Sequence, residues 1–217
     1  CRVTDPGTVR RPAGQALRAA AGGGVIESMP IRPAATVVLL RDGADGLEVW
    51  LQQRATTLAF AAGMFAFPGG QVDDDEDAST VTHDVSADAS VWGDRDFDVV
   101  RGHLAAAVRE TWEESGVRLA ADSLVPWGRW VTPPGDTRRF DARFYLARCP
   151  AGASPEPLTG EVASGQWFVL RAAVDAFAAG ALPMWPPTIS TLTSLTMFDD
   201  VASALAAAPT HIEAVTE

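Results

Sequence analysis

The stretch Phe97–Ser115, FDVVRGHLAAAVRETWEES, constrains the fold more than any other part of the chain. Its 3.6-residue periodicity predicts a helix with Leu104, Val108, Thr111 and Trp112 along one side and Glu110, Glu113 and Glu114 nearly opposite. Asp98 is placed to cap or precede the first turn, and Gly116 to stop the last. An apolar helix side must be covered by another layer. Carboxylates at i, i+3 and i+4 repel one another, at a cost of a few tenths of a kcal/mol per pair on an exposed helix. Seen alone, such a triplet reads as a solvated acidic face. Set against a divalent cation it reads differently, because hard oxygen donors on one rigid face suit Mg²⁺ or Mn²⁺.

A cation site on that helix needs a partner surface. FPGG at Phe67–Gly70 offers one: a tight turn in which glycine permits a close backbone approach. Taken alone, Pro-Gly-Gly is a plain loop. Arg109 is either a surface ion-pair partner of Glu110 or a group that orients a catalytic carboxylate.

The surrounding chain reads as strands with a few helices. AATVVLLRD (Ala34–Asp42) and LEVWLQQR (Leu47–Arg54) flank the turn GADG. VPWGRWVTP, RRFDARFYLARC and GQWFVL (Gly165–Leu170) are further strands. In RRFDARFYLARC, Phe140, Ala142, Phe144 and Leu146 face one way, and Asp141, Arg143 and Tyr145 the other. LRAAVDAFAAG and TISTLTSLTMFDDVASALAAA read as one helix each. This pattern predicts an α/β fold with a mixed sheet covered on both faces. The segment 71–102 has scattered acids and few large apolar residues, and reads as an insertion loop with at most a short helical turn. A lid over the substrate is one role it could take. The organisation expected is a poorly ordered segment 1–30, a single domain 31–208 and a C-terminal tail 209–217.

Composition excludes several functions. All 17 basic residues are arginine, so Schiff-base, P-loop and kinase lysines are ruled out. The net charge is −11, of which Asp73–Arg101 carries −8, leaving a nearly balanced body. No basic face for duplex nucleic acid is evident, and a phosphate-bearing substrate would need a cation at the acidic site. No apolar run reaches the roughly 20 residues of a membrane span, so no membrane partner is expected. The opening residues hold no signal-peptide apolar core. Cys1 and Cys149 are the only cysteines and one is terminal, which argues against a structural disulfide and for a cytoplasmic home. His83, His103 and His211 lack zinc-ligand spacing.

The two motifs together resemble the Nudix box, G-x5-E-x7-R-E-U-x-E-E-x-G-U, where U is bulky and apolar. Gly70-x5-Glu76 matches the first half and Arg109-Glu110-Thr111-Trp112-Glu113-Glu114-Ser115-Gly116-Val117 the second. The chain departs from the pattern in having 32 residues between Glu76 and Arg109 where seven are usual, and in the milder Thr111. Loop-closure cost grows slowly with length, so such an excursion is tolerable. The resemblance implies a Nudix-type α/β/α sandwich with a carboxylate-bearing catalytic helix. It also implies an Mg²⁺ or Mn²⁺ site from the Gly69 carbonyl, Glu110, Glu113 and Glu114. Glu161, six residues before Trp167, has the spacing of a further carboxylate ligand or base. Arg109 belongs to the same catalytic set. The implied reaction is attack of a metal-activated water on the diphosphate of a small nucleoside diphosphate derivative, with Glu110, Glu114 or Glu161 as base.

The layout is similar to the peroxisomal-type coenzyme A diphosphatases. Leu51-Gln52-Gln53-Arg54-Ala55 and Gly63-x3-Phe67-Pro68-Gly69-Gly70 fall in register with that group's extra motif, although Ala59 stands where a second arginine is usual. Coenzyme A or acyl-CoA is the implied substrate, with Arg54, Arg138, Arg139 and Arg143 as phosphate partners and Trp130 or Phe140 as an adenine platform. NADH, ADP-ribose and dinucleoside polyphosphates are the alternatives. Two other readings are a non-catalytic ligand sensor and a calcium-binding module using Asp73, Asp75, Asp77 and Asp84. A homodimer is left open.

Overall fold

The computed structural model describes residues 29–57 and 61–216. Cys1, Ala59 and nearly all of the 1–30 segment therefore lie outside the described residues.

Strand β1 (Ile31–Gly43) organises the sheet. It forms a hairpin with β2 (Gly46–Arg54) through the two-residue turn Ala44–Asp45, with Gly43 opposite Gly46. One edge of β1 runs parallel to β6 (Arg139–Arg148), from Ile31 opposite Arg139 to Leu40 opposite Arg148. The other edge is divided. Leu40–Gly43 pair with β2, whereas Ala34–Thr36 pair with β4 (Gly69–Gln71). Between the two, the Val37 N–H donates to the Pro68 carbonyl at 2.9 Å. The short β3 (Phe65–Ala66) and β7 (Val162–Val169) are antiparallel to β2, β5 (Val125–Val131) is antiparallel to β6, and β8 (Ala214–Val215) runs parallel to β5. The sheet is mixed, as the strand pattern predicts.

Side chains alternate across it. Ala35, Val37 and Leu39 of β1 join Tyr145 and Ala147 of β6 under helices α1 (Ser86–Trp92) and α2 (Phe97–Ser115). Val38 and Leu40 join Phe144 and Leu146 on the opposite face, under α3 (Leu170–Ala178), α4 (Pro186–Leu195) and α5 (Val201–Ala206). The result is an α/β/α sandwich. No helix among the described residues is long and apolar enough to cross a membrane.

Three expectations are corrected. The run Thr188–Ala208 is two helices: α4 stops at Leu195, and Asp200 starts α5 by accepting from the Ser203 N–H at 2.7 Å. Phe198, in the break, packs edge-on against Trp127. The acidic segment 71–102 is part of the core. Val81, Val85, Ala89 and Trp92 are buried on the α2 side, and Trp92 meets Tyr145 edge-on at 5.4 Å. It is therefore no lid, and Gln71 is its only residue to line the main cleft. Of the tail 209–217, Ile212 is buried and β8 closes onto β5.

Arg143, expected at the substrate, is buried on this face. Its Nη2 donates to Asp94 Oδ2 at 2.5 Å, and its guanidinium lies 5.1 Å from the centre of the Trp92 ring. The alternation of β6 forces this, because Arg143 points to the same side as Tyr145. Close by, His103 is buried on α2 with Nδ1 2.7 Å from the Val99 carbonyl. Burial first, and then the Arg143 charge, hold its pKa down to about 4 from 6.5.

Removing the partner of a buried guanidinium is costly. Asp94→Ala is expected to lower the unfolding free energy by about 3 kcal/mol in urea titrations; a change below about 0.5 kcal/mol would show that the pair does not anchor the segment. His103 adds a pH dependence. Its folded pKa is depressed, so its contribution is complete above pH 6.5 and is lost as pH falls through about 4. The stability advantage of the wild type over His103→Gln is expected to shrink across that window. An advantage that stays constant would refute the depressed value.

Candidate active site

The divided edge of β1 brings the two sequence motifs together. Gly69 and Gly70 pair with Thr36 and Ala35, and the C-terminal half of α2 crosses directly over them. Gly69 must be glycine, and at Gly70 a side chain would displace an acid of the helix. Gly69 has φ of +155°, and a Cβ there would lie 2.5 Å from the Ala35 carbonyl oxygen. At Gly70 a Cβ would collide with the Glu110 carboxylate.

Asp96, rather than Asp98, caps α2, its side chain accepting from the Asp98 N–H at 3.0 Å. Gly116 ends the helix in the left-handed conformation, with φ of 70°. The helix is rotated from the simple amphipathic reading. Leu104 and Thr111 are buried, but Trp112 is exposed beneath Arg118, and Glu114 is only 8% exposed. Glu114 faces the sheet, where Oε2 accepts from the Gly69 N–H at 3.0 Å and from Gln52 Nε2 at 2.9 Å. Burial pushes the Glu114 pKa up to about 7, against the opposing effect of those two donors. Burial also raises Glu110, which the Arg109 charge partly offsets.

Arg109 is the hub of this end of the helix. It donates to Glu76 through Nη2 at 2.8 Å and Nε at 3.2 Å, to Glu110 Oε1 at 3.0 Å and to Glu113 Oε2 at 3.2 Å. A further bond reaches the Gln71 carbonyl at 3.1 Å, and Asp73 lies 3.3 Å away. Glu76 and Arg109, separated by 32 residues in the chain, are thus direct partners. Glu113 is the exposed member of the trio. Arg109 spans Glu110 and Glu113, and among the described residues no three acidic, histidine or cysteine side chains converge as a ready-made metal cage. The donor set still fits a hard divalent cation. Glu110, Glu113, Glu114 and Glu161 offer oxygens to one cleft, and two of them are buried enough for desolvation to disfavour their charge.

That cleft has a volume of about 680 Å³, within the range of small-molecule sites. Its floor is the glycine turn and the glutamates; its walls include Arg54, Arg138, Trp130, Phe140 and Trp185. Glu161 reaches it because β7 begins beside the end of β2, where the Ala55 N–H donates to the Glu161 carbonyl at 2.7 Å. Arg54 Nε is buried with no hydrogen-bond partner among the described residues. Of the other expected arginines, Arg139 donates to the Thr132 carbonyl and does not line the cleft, and Arg143 lies in the core. Two residues that sequence reading missed are Arg32, on the cleft wall, and Gln52, beneath Glu114. Gln52 was findable, since Trp50, Gln52 and Arg54 share one face of a strand. The calcium loop does not form. Asp73 faces Arg109, Asp77 accepts from Ser79 and Asp84 from Ser86.

No family model matches the chain. A Caenorhabditis elegans protein named "Putative nudix hydrolase 7" is 27% identical over 78% of this chain, which spans 62% of that relative's length. The crystal structure of a NUDIX hydrolase from Alicyclobacillus acidocaldarius superposes with a TM-score of 0.70 at 28% identity, covering 83% of this chain and 97% of that one. The NUDIX domain of Shewanella oneidensis NrtR, solved with ADP ribose, shares the fold at 14% identity, with a TM-score of 0.51 over 77% of this chain and 88% of that one. The chain has the Nudix fold, and its sequence relative and solved neighbours support a place in the Nudix hydrolase superfamily.

Proposed function

We propose that the protein is a diphosphatase that hydrolyses the diphosphate linkage of a nucleoside diphosphate derivative. The observation that carries this reading is the meeting of Glu110 and Glu114 with the Gly69–Gly70 turn at the floor of a cleft that also holds Arg54. Glu110, Glu113, Glu114 and Glu161, with the Gly69 carbonyl, would hold Mg²⁺ or Mn²⁺. Such a cation, when bound, polarises phosphoryl oxygens and lowers the pKa of water. The chain's own residues do the rest. Arg109 keeps Glu110 and Glu113 in place on the helix, and Arg54, on the cleft wall, offers its guanidinium to a phosphate oxygen. Water oxygen bonds to phosphorus, the P–O–P bridge breaks, and Glu110, Glu114 or Glu161 takes the released proton.

Coenzyme A or acyl-CoA is the substrate reading we favour within that class. Support comes from the sequence register of Leu51–Gly70 and from the cleft itself. Arg32 and Arg138 lie on its wall and suit a phosphate beyond the diphosphate, while Trp130, Phe140 and Trp185 suit a purine.

A panel of CoA, acyl-CoA, NADH, ADP-ribose and dinucleoside polyphosphates with Mg²⁺ or Mn²⁺, with products identified by mass, tests both levels. Release of phosphopantetheine and adenosine 3′,5′-bisphosphate is expected. Turnover confined to another diphosphate would replace the substrate reading, and turnover of none would remove the activity. Glu114→Gln is expected to lower kcat by at least about 100-fold with folding retained; wild-type turnover in this variant would count against the assigned site.

A further inference from the structure

Beneath Glu114 lies a chain of donors with a fixed direction. The Trp50 indole N–H, 3.4 Å from Gln52 Oε1, can only donate, so the oxygen end of the Gln52 amide faces the indole. The NH₂ end therefore faces Glu114 and donates to Oε2 at 2.9 Å. The Gly69 N–H reaches the same oxygen at 3.0 Å. Two obligatory donors thus converge on Oε2, and Oε1 has no protein donor among the described residues. Gln52 is 2% exposed and Trp50 4%, so water cannot readily replace either contact. The indole is itself held in place. A Cβ on Gly165, which pairs with Gln52 across β2 and β7, would overlap the Trp50 ring, and Trp167 meets that ring edge-on at 5.7 Å.

We infer that Gln52 is a positioning residue that, with Trp50 behind it, commits Oε2 of Glu114 to the sheet and reserves Oε1 for the cation and substrate side of the cleft. This rests on the diphosphatase reading above, but concerns a side chain that touches neither substrate nor cation. A carboxylate free to rotate would present either oxygen; one pinned by two donors presents a single atom in one place. Partners of this kind behind a liganding carboxylate typically change metal affinity or activity by about 10–100-fold when removed.

The test uses the full chain and Mn²⁺ alone as probe, with bound Mn²⁺ read by electron paramagnetic resonance, alongside kcat and KM on the diphosphate that the panel selects. Gln52→Met keeps the length and loses the donor. It is expected to weaken Mn²⁺ binding and lower kcat, each by about 10–100-fold, while KM stays within about threefold. Trp50→Phe keeps a ring and frees the amide to flip, and a smaller loss of Mn²⁺ affinity in the same direction is expected. Gln52→Met with Mn²⁺ affinity and kcat within twofold of wild type overturns the inference. If Gln52→Met fails to fold, wild-type Mn²⁺ affinity in Trp50→Phe overturns it instead. A wild-type protein that binds Mn²⁺ but turns over no diphosphate removes the proposed activity, and leaves the Mn²⁺ comparison to judge Gln52.

Discussion

One buried carboxylate ties the functional end of the molecule together. Glu114 is the last acid of α2, and its Oε2 receives donors from two different parts of the sheet: Gly69 on the β4 side of the divided edge and Gln52 on β2. It therefore bridges the split where β1 exchanges one neighbour for another. The position of the helix end, the shape of the glycine turn and the floor of the cleft all follow from that contact. Burial there disfavours the charged carboxylate, and the fold counters this with two hydrogen bonds.

Charge is allocated with the same economy elsewhere. Arg109 is planar and always ionised, and it serves Glu76, Glu110, Glu113 and a carbonyl at once. A flexible ammonium could not hold so many acceptors in fixed directions. Arg143 does comparable work inside the core, where it pins the acidic segment through Asp94 beneath the Trp92 ring. Of the segment's other acids, Glu76 and Asp73 pair with Arg109, while Asp77 and Asp84 cap turns. Its strong negative charge and its role in the core are therefore compatible, because different residues carry them.

Much of this was readable from residue order. The hairpin around GADG, the strand Arg139–Arg148 and helix Phe97–Ser115 lie close to their expected places, because alternation and helical periodicity mark them strongly. The segment 71–102 was harder to read. Val81, Val85, Ala89 and Trp92 are spaced as one helical face, but the acids between them hide that pattern, and only part of the stretch becomes helix. Arg143 shows another limit. Its face was correctly given by alternation, yet nothing local tells which face of a strand will meet the cleft and which the core.

Residue order by itself determined the chemistry on offer: a carboxylate helix, a turn that only glycine can make, arginine as the sole strong cation, and no lysine for covalent or P-loop chemistry. These are properties of residue types and short spacings, which survive without knowledge of the fold. Tertiary structure decided which of those groups meet. Arg54 and Arg138 reach the cleft while Arg139 and Arg143 do not, Glu114 turns inward while Glu113 stays exposed, and Gln52 comes to lie under Glu114. The reason is that register, strand pleat and helix rotation are set by burying the whole apolar surface at once, and no local stretch contains that information.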